Sequence, residues 1–177
     1  MKTLTLLRHA KSSWAIPGQR DFDRPLNERG RKAARALGAE MKRLRLRFDL
    51  ILASPAKRTT ETLEEAAQSY GPLPARFDER IYLAAPRTLL ALARQTDDAL
   101  ERLLLVGHNP GTEELALLLS GKGETRDLMA EKYPTGALAE LSFAVESWAE
   151  IGEGLGTLTR FLHPRDLDPA LGPDRGD

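Results

Sequence analysis

The sequence predicts an α/β layer fold with a mainly parallel sheet. Short apolar runs alternate with amphipathic helical stretches along the chain. Three of those runs break off in polar residues at the start of a loop or helix, as strands of such sheets do. The length of 177 residues, with 41% hydrophobic and 29% charged residues, fits one soluble domain with a sizeable core.

Lys2 to Arg8 carries Leu4, Leu6 and Leu7 and reads as a buried strand that ends in Arg8-His9. A loop rich in Ser, Pro, Gly and Asp runs to Pro25. A helix is expected from about Asn27 to Leu46, with Ala33, Leu37, Met41 and Leu44 on one face. Asp49 to Ala53 is the second strand. Ser54-Pro55 supplies a cap and a first-turn proline, so a helix is expected from there to about Ser69. Ala75 to Asp78 is a short strand, and Pro86 to Gln95 is helical in pattern. Arg102 to Gly107 is the third clear strand, and Asn109-Pro110 repeats the cap-and-proline device before a helix through Leu119. Ala137 to Val145 and Thr157 to Leu162 read as two late strands that add an antiparallel strand. From Pro164 the composition turns to Pro, Asp and Gly, so the domain is expected at 1–167 and a flexible tail at 168–177.

Charge and composition exclude several classes. Lys plus Arg (26) balances Asp plus Glu (26), so no global field draws the chain to nucleic acid or an anionic membrane. Cysteine is absent, which removes disulfides, thiol catalysis and Cys-based metal sites and fits a reducing compartment. No apolar run approaches the roughly 20 residues needed to cross a bilayer, and the amino terminus does not read as a signal peptide. A cytoplasmic protein is expected. Arg29 to Arg47 holds eight basic residues and one acidic residue, Glu40, and reads as a solvated helix face.

The three strand ends carry Arg8-His9, Ser54-Pro55 with Arg58 one turn later, and Gly107-His108-Asn109. Two of the chain's three histidines sit there. In a parallel sheet these ends form the ligand crevice, and helix amino termini favour anions. Imidazoles, guanidiniums and helix amino ends in one place make an oxyanion site, and phosphate is the natural occupant. His163 and Trp148 read as structural residues, and Trp14 as a pocket wall.

Leu7-Arg8-His9-Ala10 resembles the first motif of the histidine phosphatase (phosphoglycerate mutase-like) superfamily. Ser54 to Thr62 resembles its second motif, and Val106-Gly107-His108-Asn109-Pro110 its third. Arg8 to Ser13, Asp23 to Gly30 and Pro164-Arg165-Asp166-Leu167 resemble the short SixA-type phosphohistidine phosphatases. The resemblance implies a three-layer α/β/α fold with a mainly parallel central sheet and a single catalytic domain. It implies that His9 is the nucleophile, giving a covalent phosphohistidine that water hydrolyses. Arg8, Arg58 and His108 are expected to hold the phosphoryl oxygens, and Arg24 to bind substrate at the rim. Glu79, in the stretch Phe77 to Tyr82, matches the position of the leaving-group acid in mutase-like members; Asp78, or no side chain, are the alternatives. Neither metal nor cofactor is expected. The expected substrate is phosphohistidine on a protein, or else a small phosphomonoester; a non-catalytic phosphate-binding module is the remaining alternative.

Overall fold

The computed structural model describes residues 1–171. Strands β1 (Lys2–Arg8), β2 (Leu50–Ala53), β3 (Arg76–Phe77), β4 (Arg102–Gly107), β5 (Leu138–Phe143) and β6 (Thr157–Leu162) form one sheet in the order β3-β2-β4-β1-β5-β6. β5 alone runs against the rest and pairs antiparallel with both β1 and β6. The other pairings, β1 with β4, β4 with β2 and β2 with β3, are parallel.

Helices cover both faces, which is why the central strands read as unbroken apolar runs. Side chains alternate across a strand, so β4 sends Leu104 and Val106 to one face and Leu103 and Leu105 to the other. On the first face they meet Leu37 and Met41 of α1 (Glu28–Arg43) and Leu63 and Ala66 of α2 (Lys57–Tyr70). On the second they meet α3 (Pro86–Arg94), α4 (Gly111–Leu119) and α5 (Glu124–Glu131), with Trp148 filling the core beside them. The layers are therefore α/β/α.

Two helix starts differ from the sequence expectation. α2 begins at Lys57, and Ala56, not Ser54, is its flanking residue, with no side-chain cap. A residue before proline is pushed to extended backbone, and the Ser54 hydroxyl instead accepts from Ala56 N at 3.2 Å and turns toward the site. α4 begins at Gly111, one residue after a cis Asn109-Pro110 peptide. α5 was not expected. Its sequence buries Met129 alone, so no apolar stripe announces it. A short helix α6 (Pro164–Leu167) follows β6, and a 3-10 turn at Pro169–Leu171 passes the boundary expected at 167, held by Arg29, whose guanidinium donates to the Leu171 and Ala170 carbonyls. The remaining tail residues, 172–177, lie outside the described residues.

The basic face of α1 is partly neutralised in place: Arg31 pairs with Glu28 at 2.9 Å, Arg43 pairs with Glu40, and Arg35 crosses to Glu65 of α2 at 2.8 Å. The two helices approach closely at Gly38, where an added Cβ would lie 2.1 Å from the Ala66 carbonyl oxygen. Helix propensity alone makes Gly38→Ala stabilising by up to about 1 kcal/mol. The backbone collision reverses that sign, so Gly38→Ala is expected to lower the thermal unfolding midpoint. A raised midpoint in a thermal melt would show that α1 and α2 do not touch there.

Candidate active site

β1 and β4 lie side by side, with β2 on the far side of β4, so their carboxyl ends deliver Arg8-His9, Gly107-His108 and Ser54 to one edge. Arg58 joins them from the first turn of α2. Hydroxyls in the second motif fix this arrangement. Thr62 Oγ1 accepts from Ala10 N at 2.9 Å and donates to the Arg58 carbonyl at 2.6 Å, tying the residue after His9 to the helix that carries Arg58. Thr59 Oγ1 donates to the Ser54 carbonyl at 2.5 Å and closes the turn before α2. Gly136 (φ +76°) donates its N–H to the His9 carbonyl at 2.9 Å and pins the strand end from the β5 side.

The buried guanidinium of Arg58 stands between two imidazoles. Its Nε donates to His9 Nε2 at 3.3 Å, and its Nη2 lies 3.1 Å from His108 Nδ1. Arginine has no acceptor, so each facing ring nitrogen must present a lone pair. The other ring nitrogens then carry the protons. His9 Nδ1 donates to the Ala10 carbonyl at 2.7 Å, and His108 Nε2 donates to Ser54 Oγ at 2.8 Å. The two rings are opposite tautomers, 5.2 Å apart between centroids. His9 is left with an in-plane lone pair on Nε2, which is what a phosphorus nucleophile requires.

Electrostatics keep both rings neutral. Burial pushes His9 well below the ordinary histidine range, and His108, Arg58 and Arg8 push the same way against the Ala10 hydrogen bond. Burial lowers His108 to about 3, helped by Arg58 and opposed by Asp21. His9 and His108 are 5% and 2% exposed, so the site is covered and not an open bowl. The cover comes from the 3-10 turn Asp21–Asp23 and from Tyr82. The Asp21 carbonyl accepts from Arg58 Nη1 at 2.7 Å, and its carboxylate accepts from Arg58 Nη2 at 2.9 Å, Tyr82 Oη at 2.5 Å and Arg24 Nε at 3.1 Å. Burial pushes the Asp21 carboxyl up, but Tyr82, Arg58 and Arg24 together hold it down to about 2. Tyr82 sets its ring edge-on to His108 at 5.4 Å, with Phe22 against its other side at 5.1 Å.

The structure gathers His9, Arg58 and His108 within direct reach of one another and places Arg8 beside them, its Nη1 donating to the Tyr133 carbonyl at 3.0 Å. Arg24 reaches the centre through Asp21, while its Nη1 donates to Ser12 Oγ at 2.8 Å and its guanidinium stacks on Trp14 at 3.5 Å. Glu79 is not brought in. It is exposed on the 3-10 turn Glu79–Ile81, and among the described residues no hydrogen bond or ion pair joins it to the histidines or to Arg8 and Arg58. The alternative, Asp78, caps that turn and pairs with Arg80 at 2.6 Å. Tyr82 is what the segment delivers to the site instead. Asp21 and Tyr82 were not among the expected site residues; a carboxylate among arginines in a loop reads as a surface ion pair until the loop is seen to fold back. His163 lies 3.5 Å from Asp166 at the start of α6, away from these residues. Among the described residues no cluster of three or more His, Asp or Glu is arranged to hold a metal ion. No helix among them is long and apolar enough to cross a membrane.

Comparisons with known proteins show the family and the fold. Residues 4–82 match the family model described as histidine phosphatase superfamily (branch 1). A protein of Mycobacterium tuberculosis described as uncharacterized is 36% identical over 163 residues, spanning 90% of this chain and 100% of its own length. The crystal structure of a putative phosphohistidine phosphatase SixA from Agrobacterium tumefaciens is 34% identical, covers 92% of this chain and 98% of that one, and superposes with a TM-score of 0.78. The chain belongs to the histidine phosphatase superfamily. A protein histidine phosphatase SixA complexed with tungstate, 22% identical, shares the fold at a TM-score of 0.75 over 94% of this chain and 99% of its own. In this histidine phosphatase the second-motif residues beyond Arg58 hold the frame of the site: Thr62 ties down the chain after His9, Thr59 closes the turn at Ser54, and the Ser54 hydroxyl accepts from His108.

Two neutral buried histidines make the phosphatase sensitive to acid. The unfolded chain takes up their protons near the ordinary pKa of about 6.5, whereas folded His108 does so only at about 3. Stability is therefore complete above about pH 6.5 and falls as pH drops through that window, by about 1.36 kcal/mol per pH unit for each histidine fully affected. Denaturant titrations at pH 7 and pH 5 are expected to show this loss, and His108→Gln to lose less. An unchanged difference in the variant would mean that His108 is not held neutral.

Proposed function

We propose that this phosphatase hydrolyses phosphohistidine displayed on a protein, by way of a covalent phosphohistidine on His9. The observation that carries the catalytic reading is the tautomer of His9: its Nδ1 is committed to the Ala10 carbonyl, so the lone pair lies on Nε2, where it accepts from Arg58 Nε until phosphorus takes that donor's place. In the first step Nε2 attacks phosphorus and the bond to the leaving atom breaks. In the second, water attacks the phosphohistidine, the P–N electron pair returns to Nε2, and phosphate departs. Arg58 and Arg8 carry fixed positive charge for the equatorial oxygens, whereas His108, expected to hold an oxygen as well, has its one N–H on Ser54 Oγ and presents Nδ1 to Arg58.

Support for the substrate comes from two sides. The structure from Agrobacterium tumefaciens described as a putative phosphohistidine phosphatase SixA matches along 98% of its length and 92% of this chain, so the likeness spans nearly the whole of both. The rim carries an ionised carboxylate, Asp21, held among Arg58, Tyr82 and Arg24. A fixed negative charge there disfavours small substrates that bear a second anionic group, and it favours a leaving imidazole, which departs with a proton near neutral pH. The tungstate complex of a SixA of the same fold accords with oxyanion binding.

Hydrolysis of a histidine-phosphorylated protein, compared with a panel of phosphomonoesters, tests the reading. Phosphohistidine is expected to give the highest kcat/KM. His9→Ala is expected to abolish turnover and the acid-labile phosphoenzyme, and Arg58→Ala to lower kcat by about 10²–10³. Preference for a small sugar phosphate would refute the substrate, and full activity in His9→Ala would refute the mechanism.

A further inference from the structure

Two carboxylates border the site, and they are held in opposite ways. Asp21 receives donors from Arg58, Tyr82 and Arg24 and is locked as an ionised acceptor. Glu113 stands half-buried on the first turn of α4, the helix that opens directly after His108. Its backbone N–H donates to Asn109 Oδ1 at 3.3 Å, and Asn109 Nδ2 faces its Oε2 at 3.5 Å. The same amide donates to the Tyr133 carbonyl at 3.1 Å, and that carbonyl also receives Arg8 Nη1 at 3.0 Å. The Asn109 amide and the Tyr133 carbonyl thus link Glu113 to the guanidinium of Arg8. Among the described residues no ion pair engages it.

We infer that Glu113 is the general acid that protonates the leaving atom and the base that then receives a proton from water. The inference rests on the phosphatase reading above, not on the identity of the substrate. In the first step His9 Nε2 bonds to phosphorus, the bond from phosphorus to the leaving oxygen or nitrogen breaks with its electron pair, and the Glu113 carboxyl proton moves to that atom. In the second, the Glu113 carboxylate takes one proton from water, the resulting hydroxide bonds to phosphorus, and the P–N pair returns to Nε2. Phosphate leaves, and His9 and Glu113 are restored.

The surroundings suit the role. Burial lifts the Glu113 carboxyl above the usual carboxylate range; Arg8 opposes this and Glu114 adds to it. A pair of carboxylates whose environments push them apart separates the proton carrier from the fixed charge. Tyr133 is the other titratable neighbour, and its hydroxyl is committed to the Leu6 carbonyl at 2.7 Å. Glu79, exposed on its 3-10 turn, has no such placement.

A leaving-group series tests the assignment, with phosphoenzyme formation followed by rapid quench on p-nitrophenyl phosphate, phenyl phosphate and an alkyl phosphate. Glu113→Gln is expected to lose about 10²–10⁴-fold on the alkyl phosphate, the usual reach of general acid catalysis. The loss on p-nitrophenyl phosphate is expected to be slight, because nitrophenolate leaves without a proton. Glu113→Asp is expected to recover part of the loss, and Glu79→Gln to leave every rate unchanged. A uniform loss across the series, no loss, or the same selective loss in Glu79→Gln would each overturn the assignment. Absence of a phosphoenzyme in the wild type would overturn it together with the catalytic reading. The leaving-group split in an enzyme indifferent to phosphohistidine would uphold Glu113 and overturn only the substrate.

Discussion

Buried between two imidazoles, the guanidinium of Arg58 offers N–H donors along every edge and accepts nothing. Each neighbour must meet it with a lone pair. His9 does so with Nε2, His108 with Nδ1, and Asp21 with a carbonyl and a carboxylate oxygen. Protons are thereby driven to the far sides of both rings, where the Ala10 carbonyl and Ser54 Oγ accept them. Burial keeps both rings neutral, and the Arg58 charge adds to it. The tautomers of both rings follow from one side chain that cannot titrate.

Much of the local sequence exists to keep that guanidinium in register with His9. Parallel pairing of β1 with β4 brings the two histidine-bearing ends level, with Arg8 opposite Gly107. Thr62 clamps the chain after His9 to the carbonyl of Arg58, and Gly136 holds the His9 carbonyl from the antiparallel strand. Gly30 lets the start of α1 press on the same loop, where a Cβ would lie 2.0 Å from the Lys11 carbonyl oxygen. Each of these bonds contributes about 1 kcal/mol in ordinary circumstances. Their collective product is placement, since phosphoryl transfer tolerates little misalignment.

The parallel strands and the residues at their ends were legible because period, burial and polarity change together there. Leu103 to Val106 reads as a strand for the same reason that it lies between two helical layers. Capping signals misled in one respect: Ser54 has the chemistry of a cap but spends its hydroxyl on His108 and on a turn before the helix. α5 was hidden because a helix that buries a single methionine leaves no stripe. Glu79 drew attention through its neighbours in the chain, whereas contact with the site depends on how the Asp78 cap turns the segment, which delivers Tyr82. Asp21 was illegible for a related reason. Nothing in a loop of mixed charge says which arginine its carboxylate will find, and the partner it finds, Arg58, is 37 residues away.

The Asp21 turn also changes what it means for this protein to bind an anion. Arg58 is never bare; in the resting state it already holds a carboxylate and a carbonyl from its own chain. A phosphoryl group that takes over those N–H donors does so by exchange, and its affinity is the difference between two anionic partners instead of the full worth of one. Orthophosphate reaching Arg58 would face a tethered competitor at high effective concentration. The loop that covers the site is thus also a built-in rival for any anion that Arg58 binds.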